Sequence, residues 1–328
     1  MTRALLLDAE LNLSLGDRPP VEPADGDVVL DVAWAGICGS DLHVMATGAW
    51  VEDWPATLGH EVAGTVAVSR APNVPVGTRV VVDSRIPCGA CDGCARSARL
   101  CTAMAWVGER FPGGYADRLT IAATSVHVVP DGLDLAVAVL AEPLAVVTSA
   151  LDRVHGDPRT VLLLGHGPIG ALARTEIARR WPAVPVTVVE PAPTRAALAV
   201  RDGARTHADL TGVDEVFDLV VDAAGYPGSL TDALSRTASG GTVLLVALSG
   251  EPAEVVPADI VERSVTIVGS VGFDTAHLPR ALAALAADPD RYAAVVTHRI
   301  PLADVPEFLA RQRHRSAGKV LLRCGGAS

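Results

Sequence analysis

With 328 residues, 49% of them hydrophobic and 20% charged, the chain is long enough for two folded domains and too apolar to be disordered. Its formal net charge of −11 disfavours a nucleic-acid or anionic-membrane surface, and no run of about eighteen apolar residues offers a membrane span. The opening MTRALLLDAELNL has an early acid and no cleavage-site pattern, so it does not read as a signal peptide, and the expected location is the cytoplasm.

The first ~130 residues read as short β segments set off by Gly and Pro: DVVLDVAWAG, EVAGTVAVS, TRVVVDS and YADRLTIAATSVHVVP. Among them GICGSDLH brings Cys38, Ser40, Asp41 and His43 close together, and GHEVAG follows with His60 and Glu61 side by side. Cys38, His60 and Glu61 offer sulfur, nitrogen and oxygen to a borderline-soft metal, the mixed set of a catalytic zinc that keeps an exchangeable position. Any one of them alone is ordinary packing or surface polarity. Glycine-containing turns at two strand ends, with Glu142 in AEPLAV, argue for a site.

Between these segments, CGACDGCARSARLC supplies Cys88, Cys91, Cys94 and Cys101. Four thiolates on one short loop can close a tetrahedron around zinc, leaving no position for substrate; such a site is structural and couples metal binding to folding. Two disulfides or a redox pair are the competing reading, disfavoured where no export signal is seen.

From about residue 135 the texture changes. DLAVAVLAEPLAVVTSALDRV reads as a long helix interrupted by Pro143, and RTVLLLGHGPIGALARTEIARRW as strand, glycine turn and helix. Strand-like runs recur at VPVTVVEP, FDLVVDAAG, GGTVLLVAL and SVTIVGSV, the alternation of a doubly wound parallel sheet. GHGPIG sets Gly165, Gly167 and Gly170 in GxGxxG spacing at the head of a helix, where backbone N–H groups and the helix dipole can receive a pyrophosphate. VTVVE then ends on Glu190, placed to bind an adenosine ribose. A tight turn and a strand cap would look alike one at a time; their combination favours a dinucleotide. The tail returns to short strands about one helix and carries Lys319, the chain's single lysine. The expected domains are 1–145, β-rich with a cysteine lobe at 86–102; 146–292, the nucleotide domain; and 293–328, a return to the first.

ICGSDLH, LGHEVAGTV, the four-cysteine loop, GGYADRL, EPLAV, GHGPIG, GGTVLLVAL and GKVLL span nearly the whole chain in that order. Together they resemble the zinc-dependent medium-chain alcohol dehydrogenase family. Within it they are most similar to the polyol branch typified by sorbitol dehydrogenase, with local likeness to threonine dehydrogenases and 2-deoxy-scyllo-inosamine dehydrogenases. The resemblance implies an α/β chain: a GroES-like catalytic domain plus a Rossmann coenzyme domain. It implies a catalytic zinc on Cys38, His60 and Glu61, joined directly or through water by Glu142. Asp41 would orient the histidine, Ser40 would lie beside the substrate oxygen, and His43 would end a proton relay. Cofactor contacts would fall at Gly165, Gly167, Pro168, Ile169, Gly170, Glu190 and Arg195, with Val246, Ala247, Leu248 and Val271 further along.

Two zinc ions and NAD follow from this; Glu190 disfavours NADP, while Arg195 argues mildly for it. Trp50, Trp54, Trp106 and Phe273 are the expected substrate-lining aromatics, although each could fill a core instead. The last cysteine gap is six residues where the family usually has seven. Gly272 and Phe273 stand where sorbitol dehydrogenases carry an Arg–aromatic pair, which implies a roomier, less basic site. The expected activity interconverts a secondary alcohol and a ketone on a sugar, polyol or aminocyclitol. A short diol or amino-alcohol dehydrogenase is the alternative within enzymes. A non-catalytic relative would have lost Cys38, His60 or Ser40, and all are present. SVTIVGSV, β-branched, apolar and last in its sheet, would need covering, so a homodimer or homotetramer is expected.

Overall fold

The computed structural model describes residues 1–325, which divide into two compact units. Met1–Pro143, Asp274–Arg315 and the chain from Lys319 form one; Leu144–Phe273 and Ser316–Gly318 form the other. Among the described residues, no helix is long and apolar enough to cross a membrane.

The first unit is built on a seven-stranded sheet. Val296–Pro301, Lys319–Arg323, Asp27–Gly36, Glu61–Ser69, Arg79–Val82 and Val126–Val128 lie side by side in that order, and Arg118–Ala122 also pairs with Asp27–Gly36. All pairings but the first are antiparallel. The register opposes Gly36 to Glu61 on one side and to Leu321 on the other. That pairing sets GICGSDLH, GHEVAG and GKVLL at one end of the sheet. Val28, Leu30, Val32, Val62, Val66, Val80 and Leu321 are buried beneath them.

In the second unit six parallel strands run in the order Arg205–His207, Val186–Val189, Val161–Leu164, Phe217–Asp222, Thr237–Leu245, Thr266–Gly269. Numbered along the chain this is 3-2-1-4-5-6, the dinucleotide-binding order, whose direction reverses beside the first strand. Leu162, Leu164, Val220 and Val243 are wholly buried, which is why their strands show no polar alternation. Thr266–Gly269 forms one edge, as its sequence implied.

Two details differ from the sequence reading. The chain rejoins the first unit at Asp274 rather than at 293. Helices His277–Ala287 and Pro289–Ala293 pack on Leu135–Ala138 of that unit, and a helical period does not say which layer a helix covers. The helix expected to be interrupted by Pro143 breaks before it, into Leu135–Ala138 and Ala141–Leu151. Pro143 thus lies in a first turn, where its missing N–H costs little.

Candidate active site

Cys38 is the N-cap of helix Gly39–Thr47, with Ser40 and Asp41 in the first turn. Asp41 folds back so that its Oδ2 accepts the Cys38 N–H at 2.9 Å, which closes the cap and buries the carboxylate. The same oxygen accepts the Tyr115 hydroxyl at 2.7 Å, while Oδ1 lies 3.3 Å from His60 Nδ1. Burial works to raise the Asp41 pKa, but His60, Tyr115 and the Cys38 N–H outweigh it and hold it below the usual carboxylate value. Burial works to lower His60, and Asp41 and Cys38 push it well above the ordinary imidazole value. With Nδ1 committed to Asp41, Nε2 is the nitrogen left for a metal.

Cys38 Sγ, a His60 nitrogen and a Glu61 carboxylate oxygen lie within 4.8 Å of one another. Lys319 Nζ donates to Glu61 Oε1 at 2.5 Å and to the Ile37 carbonyl at 2.9 Å, and both Glu61 and Lys319 are 1% exposed. Glu61 Oε2 is within ion-pair reach of the same amine but has no hydrogen bond of its own. Gly36 makes the pair possible: a Cβ there would overlap the Glu61 carboxylate and stand 2.9 Å from Lys319 Cε. Converging sulfur, nitrogen and carboxylate donors within 4.8 Å of one another fit zinc held by three protein ligands. Glu142 lies outside this trio, its Oε1 3.5 Å from Ser84 Oγ; burial pushes its pKa up to about 7, with His60 pulling down and Glu61 pushing up.

The four clustered sulfurs also fit zinc. Cys88 and Cys94 are 3.9 Å apart, Cys91 and Cys101 4.0 Å, and Cys88 and Cys101 3.6 Å. A tetrahedron with 2.3 Å metal–sulfur bonds has edges of about 3.8 Å, whereas a disulfide needs about 2.05 Å. The cysteines are all free. Backbone N–H groups of Thr102 and Cys94 bring the Cys91 thiol down to about 5, toward the thiolate a metal needs. The stretch between Cys91 and Cys101 is folded as helix Asp92–Arg96 and the 3-10 turn Ala98–Leu100, and Ser97 and Arg99 both reach Asp274.

In the second unit, Gly167 is the N-cap of helix Pro168–Arg180, with Pro168 at its first position and Ile169 next. A Cβ on Gly170 would overlap the Gly165 carbonyl, so the helix can sit hard against the strand end. The buried Glu190 carboxylate accepts the N–H groups of His166 and Ala192 at 2.7 and 2.9 Å. Arg195 Nε donates to the Ala317 carbonyl at 2.7 Å, and its guanidinium lies 3.7 Å from where a Gly167 Cβ would be. Val246 and Ala247 are partly exposed at the end of Thr237–Leu245; Leu248 and Val271 are largely exposed. A fixed acid, a glycine turn without side chains and a helix start fit a dinucleotide.

The expected aromatics separate. Trp50 is 49% exposed and lies against His43 with ring centroids 5.0 Å apart, and Trp54 is 37% exposed. Trp106 is partly buried in the short ribbon with Arg85–Ile86. Phe273 departs from the expectation: it follows Gly272, φ 57, and is 0% exposed, so its ring offers no open face to a substrate. Tyr115, in GGYADRL, and Lys319, in GKVLL, belong to the site, as does Ser84, although the sequence reading gave none of the three a role there. Only Lys319 stands out in the sequence, as the single lysine.

Residues 24–131 match the alcohol dehydrogenase GroES-like domain family, and residues 135–318 match the glucose dehydrogenase C-terminus family. D-altritol 5-dehydrogenase of Agrobacterium fabrum is 32% identical, over 92% of this chain and 91% of its own. L-threonine 3-dehydrogenase of Streptomyces coelicolor is 30% identical, over 96% of this chain and 97% of its own. The crystal structure of 2R,3R-butanediol dehydrogenase from Bacillus subtilis is similar at a TM-score of 0.88 and 26% identity, over 98% and 99% of the two chains.

Proposed function

Because this chain belongs to the zinc-dependent medium-chain alcohol dehydrogenase family, in its polyol branch, we propose that it interconverts a secondary alcohol and a ketone on a sugar, polyol or aminocyclitol with NAD. The observation that carries this reading is the convergence of Cys38, His60 and Glu61, with Asp41 behind the histidine. Zinc held by these three, and by Glu142 directly or through water, would polarise the carbinol oxygen while NAD takes up the hydride. Ser40 and His43, three residues apart on one helix, face the same way. Ser40 would accept the hydroxyl proton as it passes its own outward, and His43, exposed to solvent, would deliver a proton to water. Asp41 holds the imidazole in one tautomer, and Lys319 holds the Glu61 carboxylate in place. Cys88, Cys91, Cys94 and Cys101 would hold a second zinc, which would stiffen the lobe.

A carboxylate at Glu190 disfavours a 2′-phosphate, so NAD is favoured over NADP, and Arg195 would soften the preference. Exposed faces of Trp50 and Trp54 suit the C–H faces of a ring. A screen of polyols, cyclitols and aminocyclitols, read by absorbance of the reduced nicotinamide, is expected to show cyclic alcohols ahead of ethanol and a higher kcat/KM with NAD. Short linear alcohols outperforming every cyclic one would overturn the substrate choice, and a higher kcat/KM with NADP the reading of Glu190. Similarity to threonine and butanediol dehydrogenases supports the second reading, a short amino-alcohol or diol substrate.

The edge strand Thr266–Gly269, with Ile267 exposed, is the surface on which two copies would pair about a two-fold axis. Light scattering is expected to report a dimer or a tetramer; a monomer at micromolar concentration would count against this.

A further inference from the structure

The turn from Val107 to Phe111 is fastened to the metal site from two directions. Val107 N–H donates at 2.9 Å to the carbonyl of Ser84, whose hydroxyl faces Glu142. Gly113, Gly114 and Tyr115 donate to the carbonyls of Thr57, Gly59 and Leu58 at 2.6, 2.8 and 2.9 Å, the residues leading into His60. Gly108 lies so near Gly59 that a Cβ on it would come 2.9 Å from the Gly59 nitrogen. The next residue, Glu109, is therefore carried at a fixed place close to His60.

Its neighbour Arg110 is engaged by Glu52 at 3.3 Å and leaves Glu109 unneutralised. Among the described residues the Glu109 carboxylate has neither a hydrogen bond nor an ion pair. It is partly buried and feels the charges of His60 and Asp41; burial raises its pKa, with His60 pulling the other way. Asp41 is matched by His60 and Tyr115, and Glu61 by Lys319. Glu109 is only partly buried and is not among the residues with buried polar atoms lacking a partner, so water serves its carboxylate until a donor on a substrate at the edge of the active site replaces it.

We propose that Glu109 is a specificity-determining residue that binds a hydrogen-bond donor near the carbinol carbon of the substrate, an ammonium in preference to a hydroxyl. This rests on the dehydrogenase reading above. A charge-assisted N–H···O bond is stronger than its neutral counterpart, so an amine gains more than a hydroxyl, and an alcohol with no second donor gains nothing.

The test compares cyclohexanol with the cyclohexanediol and the aminocyclohexanol that carry their second group on the adjacent carbon. In the wild type kcat/KM is expected to rise along that series. Glu109→Gln should lower kcat/KM for the amino alcohol by about tenfold to a hundredfold, mainly through KM, lower the diol less, and leave cyclohexanol within about threefold. Glu109→Asp, which keeps the charge, should retain part of the preference for the amine, and zinc content should match the wild type in both variants. An active wild type whose Gln variant treats all three alcohols as before, or loses all three alike, overturns the role of Glu109 and leaves the dehydrogenase reading standing. A zinc-loaded wild type inert toward all three overturns both.

Discussion

Replacing Cys38 or His60 by alanine is expected to lower turnover by about three to four orders of magnitude, since a metal contributes several kcal/mol to the transition state and about 1.4 kcal/mol is a factor of ten. The same change should remove one of the metals implied by the two ligand clusters and leave the other bound. The fold should survive, because Cys38 and His60 lie just beyond the strands Asp27–Gly36 and Glu61–Ser69, whose pairing does not use their side chains. Cys91→Ser should act the other way. It removes a thiolate from a closed four-sulfur site, so the main loss is in thermal stability, with turnover retained where the lobe stays folded. Elemental analysis, thermal melting and steady-state kinetics on the same preparations separate the two outcomes. A Cys38→Ala protein that keeps full activity would sink the assignment.

Lys319→Met is expected to destabilise chelator-treated protein by about 3–5 kcal/mol, the cost of removing one partner from a buried ion pair. Glu61 would be left buried with no cation, and the Ile37 carbonyl would lose its donor. Pairing this change with Glu61→Gln should restore part of the loss, since the second substitution removes the stranded charge. Denaturant midpoints for the two single variants and the double variant measure the coupling. Strictly additive effects would show that the two side chains do not support one another. In zinc-loaded protein the penalty should shrink, because the metal's charge offsets Glu61.

Much of this architecture is legible in local sequence. Strand EVAGTVAVS and the alternation that becomes the parallel sheet are set by patterns within a dozen or so residues, and the structure follows them. So do the metal-type clusters, because Cys38 to Asp41 closes one helix cap and Cys88 to Cys101 one short loop. What escapes is whatever depends on distant strands meeting. Tyr115 reaches Asp41 across 74 residues and Lys319 reaches Glu61 across 258, contacts fixed by sheet register and not by any neighbouring residue. Phe273 is misplaced for the same reason: a ring after a glycine turn can face in or out, and only the packed chain decides. The return at Asp274 belongs with these, since Asp274 is tied to Ser97 and Arg99 on the cysteine lobe.

Lys319 is the chain's single lysine, and its amine is closed to solvent. Acylating reagents that seek lysine therefore find none in the native protein, so dyes or cross-linkers of that kind cannot mark the outer surface through a lysine. A mass increment on the peptide carrying Lys319 appears only once the strand Lys319–Arg323 has parted from Asp27–Gly36. The chain thus carries its own covalent probe for opening of the sheet on which the active site is built.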